Sequence, residues 1–184
     1  MCLLLQVVKD LLDIYNLAEE KNFIDSINLL SDLIGILLLV LFYLVFYTVY
    51  KKNKPEIYII SFAYLLRVFV IIIGYYLYPL PDSLWDSRSI EYSALLNSRL
   101  SIYELYNLTI TSFYTSFFNF FSLIYKITGR SPLVLLSIIN FISVLTIITI
   151  AKSCYLVWSD KSAYIKCLIF LSILPVNILY STLI

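Results

Sequence analysis

Four long apolar runs dominate the chain and predict membrane-spanning helices. A bilayer core about 30 Å thick needs about 20 apolar residues in a helix that rises about 1.5 Å per residue. One charged residue, Arg67, falls within the runs, which cover about 33–50, 57–80, 132–151 and 167–184. The pattern therefore predicts an all-α fold, a polytopic bundle of transmembrane helices.

Two segments between the second and third runs predict amphipathic helices at the membrane surface, in the first external loop. The first covers about 83–97 and the second about 105–125. The second is uncharged and long enough to span, but it is rich in Ser, Thr, Asn, Tyr and Phe. This composition favours a helix at the depth of the lipid head groups, and spanning stays the alternative. Gly129, Ser131 and Pro132 then end one helix and begin the next.

The basic residues predict the orientation, because Lys and Arg of short loops favour the cytoplasmic side. Residues 51–56 hold three lysines and one glutamate, which indicates the inside. Residues 1–32 hold two lysines against six acidic residues, and residues 82–104 hold two arginines against four. Both indicate the outside. The chain thus divides into an N-terminal amphipathic, extracytoplasmic segment, 1–32, and a membrane domain, 33–184.

The sides of two further basic segments depend on whether residues 105–125 span. If they span, residues 126–130 are cytoplasmic and residues 152–166 are outside; if they lie at the interface, the two segments exchange sides. Each segment carries two more basic than acidic residues. Charge alone therefore leaves both arrangements open.

Composition excludes several function classes. The chain of 184 residues is 61% hydrophobic and 14% charged, against about 45–50% and about 25% in soluble domains. A net charge of +1 gives no basic face for nucleic acid. The absence of histidine and three scattered glycines exclude zinc proteases, Ser-His-Asp hydrolases and phosphate-binding loops. Cys2, Cys154 and Cys167 lack a CxxC spacing and are interpreted as reduced, structural thiols.

Carboxylates directly after the second apolar run are the candidate chemistry. Asp82 and Asp86 stand one helical turn apart beside Trp85. Carboxylates at the membrane surface can accept a proton from an acceptor hydroxyl or hold a divalent metal against a phosphate. The alternative is structural: Asp82 or Ser83 caps a helix that runs to about Asn97, and Arg88 and Glu91 form only a surface ion pair.

The stretch PDSLWDSRSIEYSALL, followed after a short gap by FFSLIYKITGRSPLVLLSIINFISVL and the rest of the chain, resembles the amino-terminal part of bacterial polytopic glycosyltransferases of the GT-C superfamily. These are relatives of the dolichyl-phosphate-mannose protein mannosyltransferases. The resemblance covers about residues 79–184. Gly129 to Pro132, Asn140 and Pro175 match structural landmarks of the pattern.

The resemblance implies transfer of a sugar from a polyprenyl-phosphate carrier to an extracytoplasmic acceptor, with inversion at the anomeric carbon. Asp86 is then the base or a metal ligand, with Asp82 and Glu91 as helpers. If a divalent metal ion takes part, the resemblance implies Asp86 and Asp82 as its ligands. The implied partners are the lipid-linked sugar donor and membrane lipids, in the bacterial inner membrane.

Three further residues are candidates for substrate binding. Trp85 is a platform for sugar or lipid, with membrane anchoring as the alternative. Arg88 matches phosphate oxygens, with an ion pair to Glu91 as the alternative. Arg67, near the middle of the second span, contacts a lipid phosphate or a carboxylate, with snorkelling as the alternative.

The family pattern continues past Ile184 into an Arg-Glu pair and more spans, so the resemblance predicts that this chain is incomplete at its C-terminus. Two other hypotheses remain open. One is a polysaccharide polymerase, which also keeps an acidic loop outside. The other is a small non-enzymatic membrane protein, such as a transporter or assembly subunit.

Overall fold

The computed structural model describes residues 29–74, 86–111, 113–175 and 178. This part of the chain is helical and contains no strand, which confirms the predicted all-α class. The N-terminal segment predicted over residues 1–32 lies almost entirely outside the described residues. The helices are α1 (Leu29–Tyr50), α2 (Lys54–Ile72), α3 (Asp86–Asn97), α4 (Ile102–Thr111), α5 (Phe113–Thr128), α6 (Pro132–Trp158) and α7 (Lys161–Ile173).

Three of these helices are long and apolar enough to cross a membrane: α1 from Asp32, α2 and α6. They correspond to the first three predicted spans, with different ends. α2 begins three residues before the predicted start, and residues 75–80 of the second span lie outside the described residues. α6 continues seven residues beyond the predicted end, since Lys152 is followed by further apolar residues before the helix stops at Trp158.

The fourth predicted span, 167–184, is described at residues 167–175 and 178, and its other residues lie outside the description. Up to Ile173 it belongs to α7, which is 13 residues long and begins earlier, at Lys161.

The described residues fall into two compact units. The described residues of unit 1 are 29–34, 86–111 and 113–135. Within it, α3 and α4 each pack against α5. Asn97 of α3 donates a hydrogen bond to Asn119 of α5, and Asn119 donates to the carbonyl oxygen of Leu105 in α4. One asparagine on α5 therefore ties all three helices together. The buried apolar side chains of this unit include Ala94, Leu105, Phe121, Tyr125 and Leu133.

The described residues of unit 2 are 35–74, 136–175 and 178, and they contain most of the apolar helices. α1 and α2 are joined by a loop of three residues, 51–53, and run in opposite directions. The Tyr64 hydroxyl of α2 donates to the Leu39 carbonyl oxygen of α1 at 2.7 Å. α6 packs beside α1, where the Phe42 and Phe141 rings stack with centroids 4.3 Å apart.

The two short loops of unit 2, residues 51–53 and 159–160, lie at the same end of its helices. The Lys152 ammonium near the end of α6 is 5.6 Å from the centroid of the Tyr50 ring at the end of α1. The Tyr164 hydroxyl in the first turns of α7 donates to the Glu56 carboxylate in the first turn of α2, at 3.3 Å. α2 therefore begins at this end of unit 2, and α6 ends there.

The turn between α5 and α6 has the predicted geometry. α5 ends at Thr128, and Gly129 follows with a φ of 77°, in the left-handed region where glycine lacks the steric cost of a Cβ atom. The Ser131 hydroxyl accepts a hydrogen bond from the Val134 amide at 3.3 Å, as an N-cap does. Pro132 is the first residue of α6, where its missing N–H costs nothing.

Candidate functional site

The predicted acidic site falls at the beginning of α3, and the structure describes only part of it. Asp82 and Trp85 lie outside the described residues. Asp86 is the first residue of α3 and Arg88 lies in its first turn, but the side chains of both are outside the description. Glu91 is the one predicted catalytic residue whose side chain is described.

Glu91 forms a buried ion pair with Arg130. The Arg130 Nε atom donates to Glu91 Oε1 at 2.9 Å, and the two side chains are 6% and 10% exposed. The Tyr125 hydroxyl donates to the same oxygen at 3.4 Å. Glu91 is therefore not a surface carboxylate, and it pairs with Arg130 across unit 1; the side chain of Arg88, its partner in the structural alternative, lies outside the description.

This ion pair fixes α3 to the turn that leads into α6. Tyr125 stands at the end of α5, and Arg130 stands between Gly129 and Ser131 in the turn. Ser131 is also buried, and its hydroxyl donates to the Asp32 carboxylate in the first turn of α1 at 3.4 Å. The GRSP turn is therefore held by charged groups from two other helices of unit 1.

The turn after α3 is held by a second basic residue. The Lys126 ammonium of α5 donates to the carbonyl oxygens of Ser98 and Leu100. Both residues follow Asn97, the last residue of α3, so Lys126 fixes this turn to α5. Both basic residues of the segment 126–130 are therefore bound within unit 1.

α4 begins with a capping box that was not predicted from the sequence. The Ser101 amide donates to Glu104 Oε2 at 2.7 Å, and the Glu104 amide donates to the Ser101 hydroxyl at 3.2 Å. The hydrogen bond from the Ser101 amide, and after it the Ser101 side chain, hold the pKa of the exposed Glu104 carboxyl below its usual value. The signal was present in the sequence as Ser-Ile-Tyr-Glu.

No group of three or more Cys, Asp or Glu side chains that could hold a metal occurs in the described part of the chain. The two predicted ligands, Asp82 and Asp86, are not among the side chains that the structure describes. Metal binding at this pair therefore stays a prediction.

Arg67 is buried completely in unit 2. Its Nη1 atom donates to the Ala63 carbonyl oxygen at 2.8 Å and lies 3.5 Å from the Ser172 carbonyl oxygen of α7. Its Nε and Nη2 atoms have no hydrogen-bond partner among the described residues. The guanidinium is therefore packed between α2 and α7, and a substrate could reach it only if these helices separated. Snorkelling to the membrane surface does not describe this conformation.

The lysine-rich end of unit 2 contains a second polar site, which the sequence did not predict. A cavity of about 270 Å³ is lined by Glu56, Lys152, Tyr155, Lys161 and Tyr164. Glu56 is buried and also accepts a hydrogen bond from the Asn53 amide group at 3.4 Å. Burial, together with the Glu56 charge, raises the pKa of Tyr164, so its hydroxyl keeps its proton.

Comparison with protein-family models, with curated proteins and with solved structures found no match to this chain. The resemblance to membrane glycosyltransferases therefore depends on the sequence patterns alone.

Proposed function

We propose that the chain is an integral protein of the bacterial inner membrane whose lysine-rich end faces the cytoplasm. Lys51, Lys52 and Lys54 near one short loop lie at the same end of unit 2 as Lys152 and Lys161 near the other. Cytoplasmic loops are enriched in basic residues, which supports this orientation. α2 and α6 then cross in opposite directions, so the segment between them begins and ends outside.

Under this orientation the segment predicted as one interfacial helix over residues 105–125 lies at the outer interface, and it is divided between α4 and α5. The basic segments 126–130 and 152–166 are then on opposite sides of the membrane. The outer one carries Arg130 in an ion pair with Glu91, and Lys126 bound to backbone carbonyls of the turn after α3. Its positive charge is thus partly compensated within unit 1, which fits an external position.

Cysteine labelling tests this orientation. With the three native cysteines replaced by serine, we expect Lys52→Cys and Lys161→Cys to resist a membrane-impermeant maleimide added to intact cells, and to react after permeabilisation. Ser83→Cys should react without permeabilisation. Labelling of only one of the two lysine positions from outside would contradict the arrangement, because it would place the two loops on opposite sides.

For the activity, the proposal is that the chain is the amino-terminal part of a membrane glycosyltransferase. The enzyme transfers a sugar from a polyprenyl-phosphate-linked donor to an extracytoplasmic acceptor, in the synthesis of envelope or surface polysaccharide. The observation that carries it is the fixation of the acidic helix α3, through Glu91 and Arg130, to the GRSP turn before α6. Such a fixed helix supplies the rigid support that a catalytic group needs.

Each predicted residue has a role in this proposal. Asp86 accepts the proton of the acceptor hydroxyl, with Asp82 and Glu91 as helpers. Trp85 and Arg88 contact the sugar and the donor phosphate. Arg67 is kept as a candidate for phosphate binding, on the condition that α2 and α7 separate. A divalent metal ion, where one is required, would be held by Asp86 and Asp82 and would stabilise the phosphate leaving group.

Replacement of Asp86 by asparagine tests the catalytic assignment. The amide has the same shape but cannot accept a proton, and we expect sugar transfer to fall by about 10²–10⁴-fold. The measurement is the transfer of radiolabelled sugar from its polyprenyl-phosphate carrier to the acceptor. It uses membranes that contain the whole protein of which this chain is proposed to be the amino-terminal part. The amount of protein and its insertion into the membrane should stay unchanged.

Glu104→Gln is the matched control. It removes one carboxylate from the same unit, but Glu104 is exposed and its carboxylate is bonded to Ser101 in the capping box. We expect transfer by this variant to remain within about twofold of the parent, because the lost cap affects only local helix stability. Normal transfer by Asp86→Asn would refute the assignment.

One observation favours a non-enzymatic membrane protein as the second candidate. Glu91 is neutralised by Arg130 and buried, as expected for a structural carboxylate. A transporter or assembly subunit would use its external acids only in this way. That candidate predicts no sugar transfer by the parent protein, whereas a polysaccharide polymerase predicts extension of a lipid-linked glycan instead of transfer of a single sugar.

A further inference from the structure

At the lysine-rich end of unit 2 the positively charged side chains are exposed, whereas the negatively charged ones accept hydrogen bonds within the fold. The acids Glu56 and Asp160 are both occupied: Glu56 accepts from Tyr164, and Asp160 caps α7 by accepting from the amides of Ser162 and Ala163. All six lysines near this end are exposed: Lys51, Lys52, Lys54, Lys152, Lys161 and Lys166. No ion pair involves them in the described part of the chain.

Two of these lysines line one cavity together, and the other four do not line it. Lys152 of α6 and Lys161 of α7 line the 270 Å³ cavity with the aromatic rings of Tyr155 and Tyr164. The Glu56 carboxylate also lines it and opposes an anion. Its negative charge is stabilised by the Tyr164 hydroxyl and the Asn53 amide group, which both donate hydrogen bonds to Glu56 Oε2. The lining therefore keeps one net positive charge.

We propose that this cavity binds the phosphate of an anionic phospholipid head group. Basic pockets between transmembrane helices on the cytoplasmic side are suited to such head groups. Lys152 and Lys161 supply ammonium donors for the phosphate oxygens, and the Tyr155 ring supplies a wall for the glycerol backbone. The inference uses the cytoplasmic orientation proposed above, and it does not depend on the proposed sugar transfer.

A membrane lipid fits the surroundings better than free phosphate. The residues that follow Tyr155 on α6 are apolar and strongly exposed: Leu156 is 79%, Val157 73% and Trp158 65% exposed. Exposed apolar and aromatic side chains next to lysines are typical of the membrane–water interface. A head group held by the two lysines would have its acyl chains beside this surface.

Native mass spectrometry of the detergent-purified full chain tests the proposal with added phosphatidylglycerol and phosphatidylcholine of equal acyl length. We expect phosphatidylglycerol to be retained more strongly. Lys152→Gln combined with Lys161→Gln should weaken its binding by about 30-fold, since each lysine near an anionic lipid contributes about 1 kcal/mol. Lys152→Arg with Lys161→Arg should restore binding, because the charge is kept.

The matched control is Lys51→Gln combined with Lys52→Gln, which removes the same charge outside the cavity. We expect a loss below about threefold, because screening weakens charges that do not contact the lipid. Equal losses in both double variants would overturn the proposal in favour of a diffuse positive surface. Displacement of the lipid by millimolar inorganic phosphate would overturn the lipid as ligand. Retention of phosphatidylcholine as strong as that of phosphatidylglycerol would also contradict it.

Discussion

Replacing Glu91 by glutamine is expected to destabilise unit 1 by about 3–5 kcal/mol. The reason is that Arg130 remains as a buried charge whose partner has lost its own, and removing one partner of a buried ion pair has a cost of this size. Replacing Arg130 by methionine should cost a similar amount, because the Glu91 carboxylate is then unpaired. The measurement is hydrogen exchange of peptides from α3 and α5 in the purified protein, with thermal unfolding as the global readout.

A double variant separates the ion pair from the general fold. Glu91→Met with Arg130→Met removes both charges and leaves apolar side chains, and we expect it to regain most of the stability lost in either single variant. Tyr125→Phe, which removes one hydrogen bond of 3.4 Å to the Glu91 carboxylate, should cost only about 1.5 kcal/mol. Unchanged exchange in Glu91→Gln would contradict a buried, charged pair at this position.

The same double variant distinguishes the two roles assigned to Glu91. A folded protein without the carboxylate can be assayed for sugar transfer, which the single variants do not permit once they unfold. Loss of transfer in the folded double variant would support Glu91 as a helper in catalysis. Retained transfer would limit Glu91 to fixing α3 against the turn at Arg130.

The helices of this protein were predictable where one local signal decided them. Apolar runs of sufficient length predicted α1, α2 and α6, because a spanning helix needs only continuous hydrophobicity. The turn at Gly129 and Pro132 was predictable for the same reason, since each residue has a conformational preference of its own. The capping box at Ser101 was equally local, and its spacing was present in the sequence.

The contacts between helices were not predictable in this way. Glu91 and Arg130 are 39 residues apart, and nothing in the sequence near either residue indicates its partner. Glu91 has a basic residue closer in sequence, Arg88, and proximity in sequence favoured that pair over Arg130. Pairing depends on how α3 packs against α5, which is a property of the tertiary fold.

The orientation of the later helices shows the same limit. Segments 126–130 and 152–166 carry equal net charge, so counting residues leaves two topologies. The contact of Tyr164 with Glu56 supplies the missing information, because it brings residues 152–166 to the end where residues 51–56 lie. The beginning of the acidic site, from Asp82 to Trp85, lies outside the described residues and remains a prediction from sequence.

Replacing Arg67 by leucine should have the opposite effect to replacing Glu91. Arg67 is fully buried within a spanning helix, and two of its nitrogen atoms lack partners among the described residues. An unpaired charge at that depth is unfavourable by about 2.5–3.5 kcal/mol, while leucine is favourable by about 0.3–0.6 kcal/mol. We therefore expect a gain of about 3 kcal/mol, reduced by the loss of the hydrogen bonds to Ala63 and Ser172.

Thermal unfolding in detergent and the yield of inserted protein measure this gain. Arg67→Lys is the control, because it keeps the charge and should give no increase in the unfolding temperature. An arginine retained in spite of such a cost is expected to serve function, since intramembrane charges are rarely kept otherwise. The Arg67→Leu protein should accordingly be more stable and less active in sugar transfer. A decrease in stability would show instead that Arg67 has a counter-charge in the folded membrane protein, supplied by a group beyond the described residues.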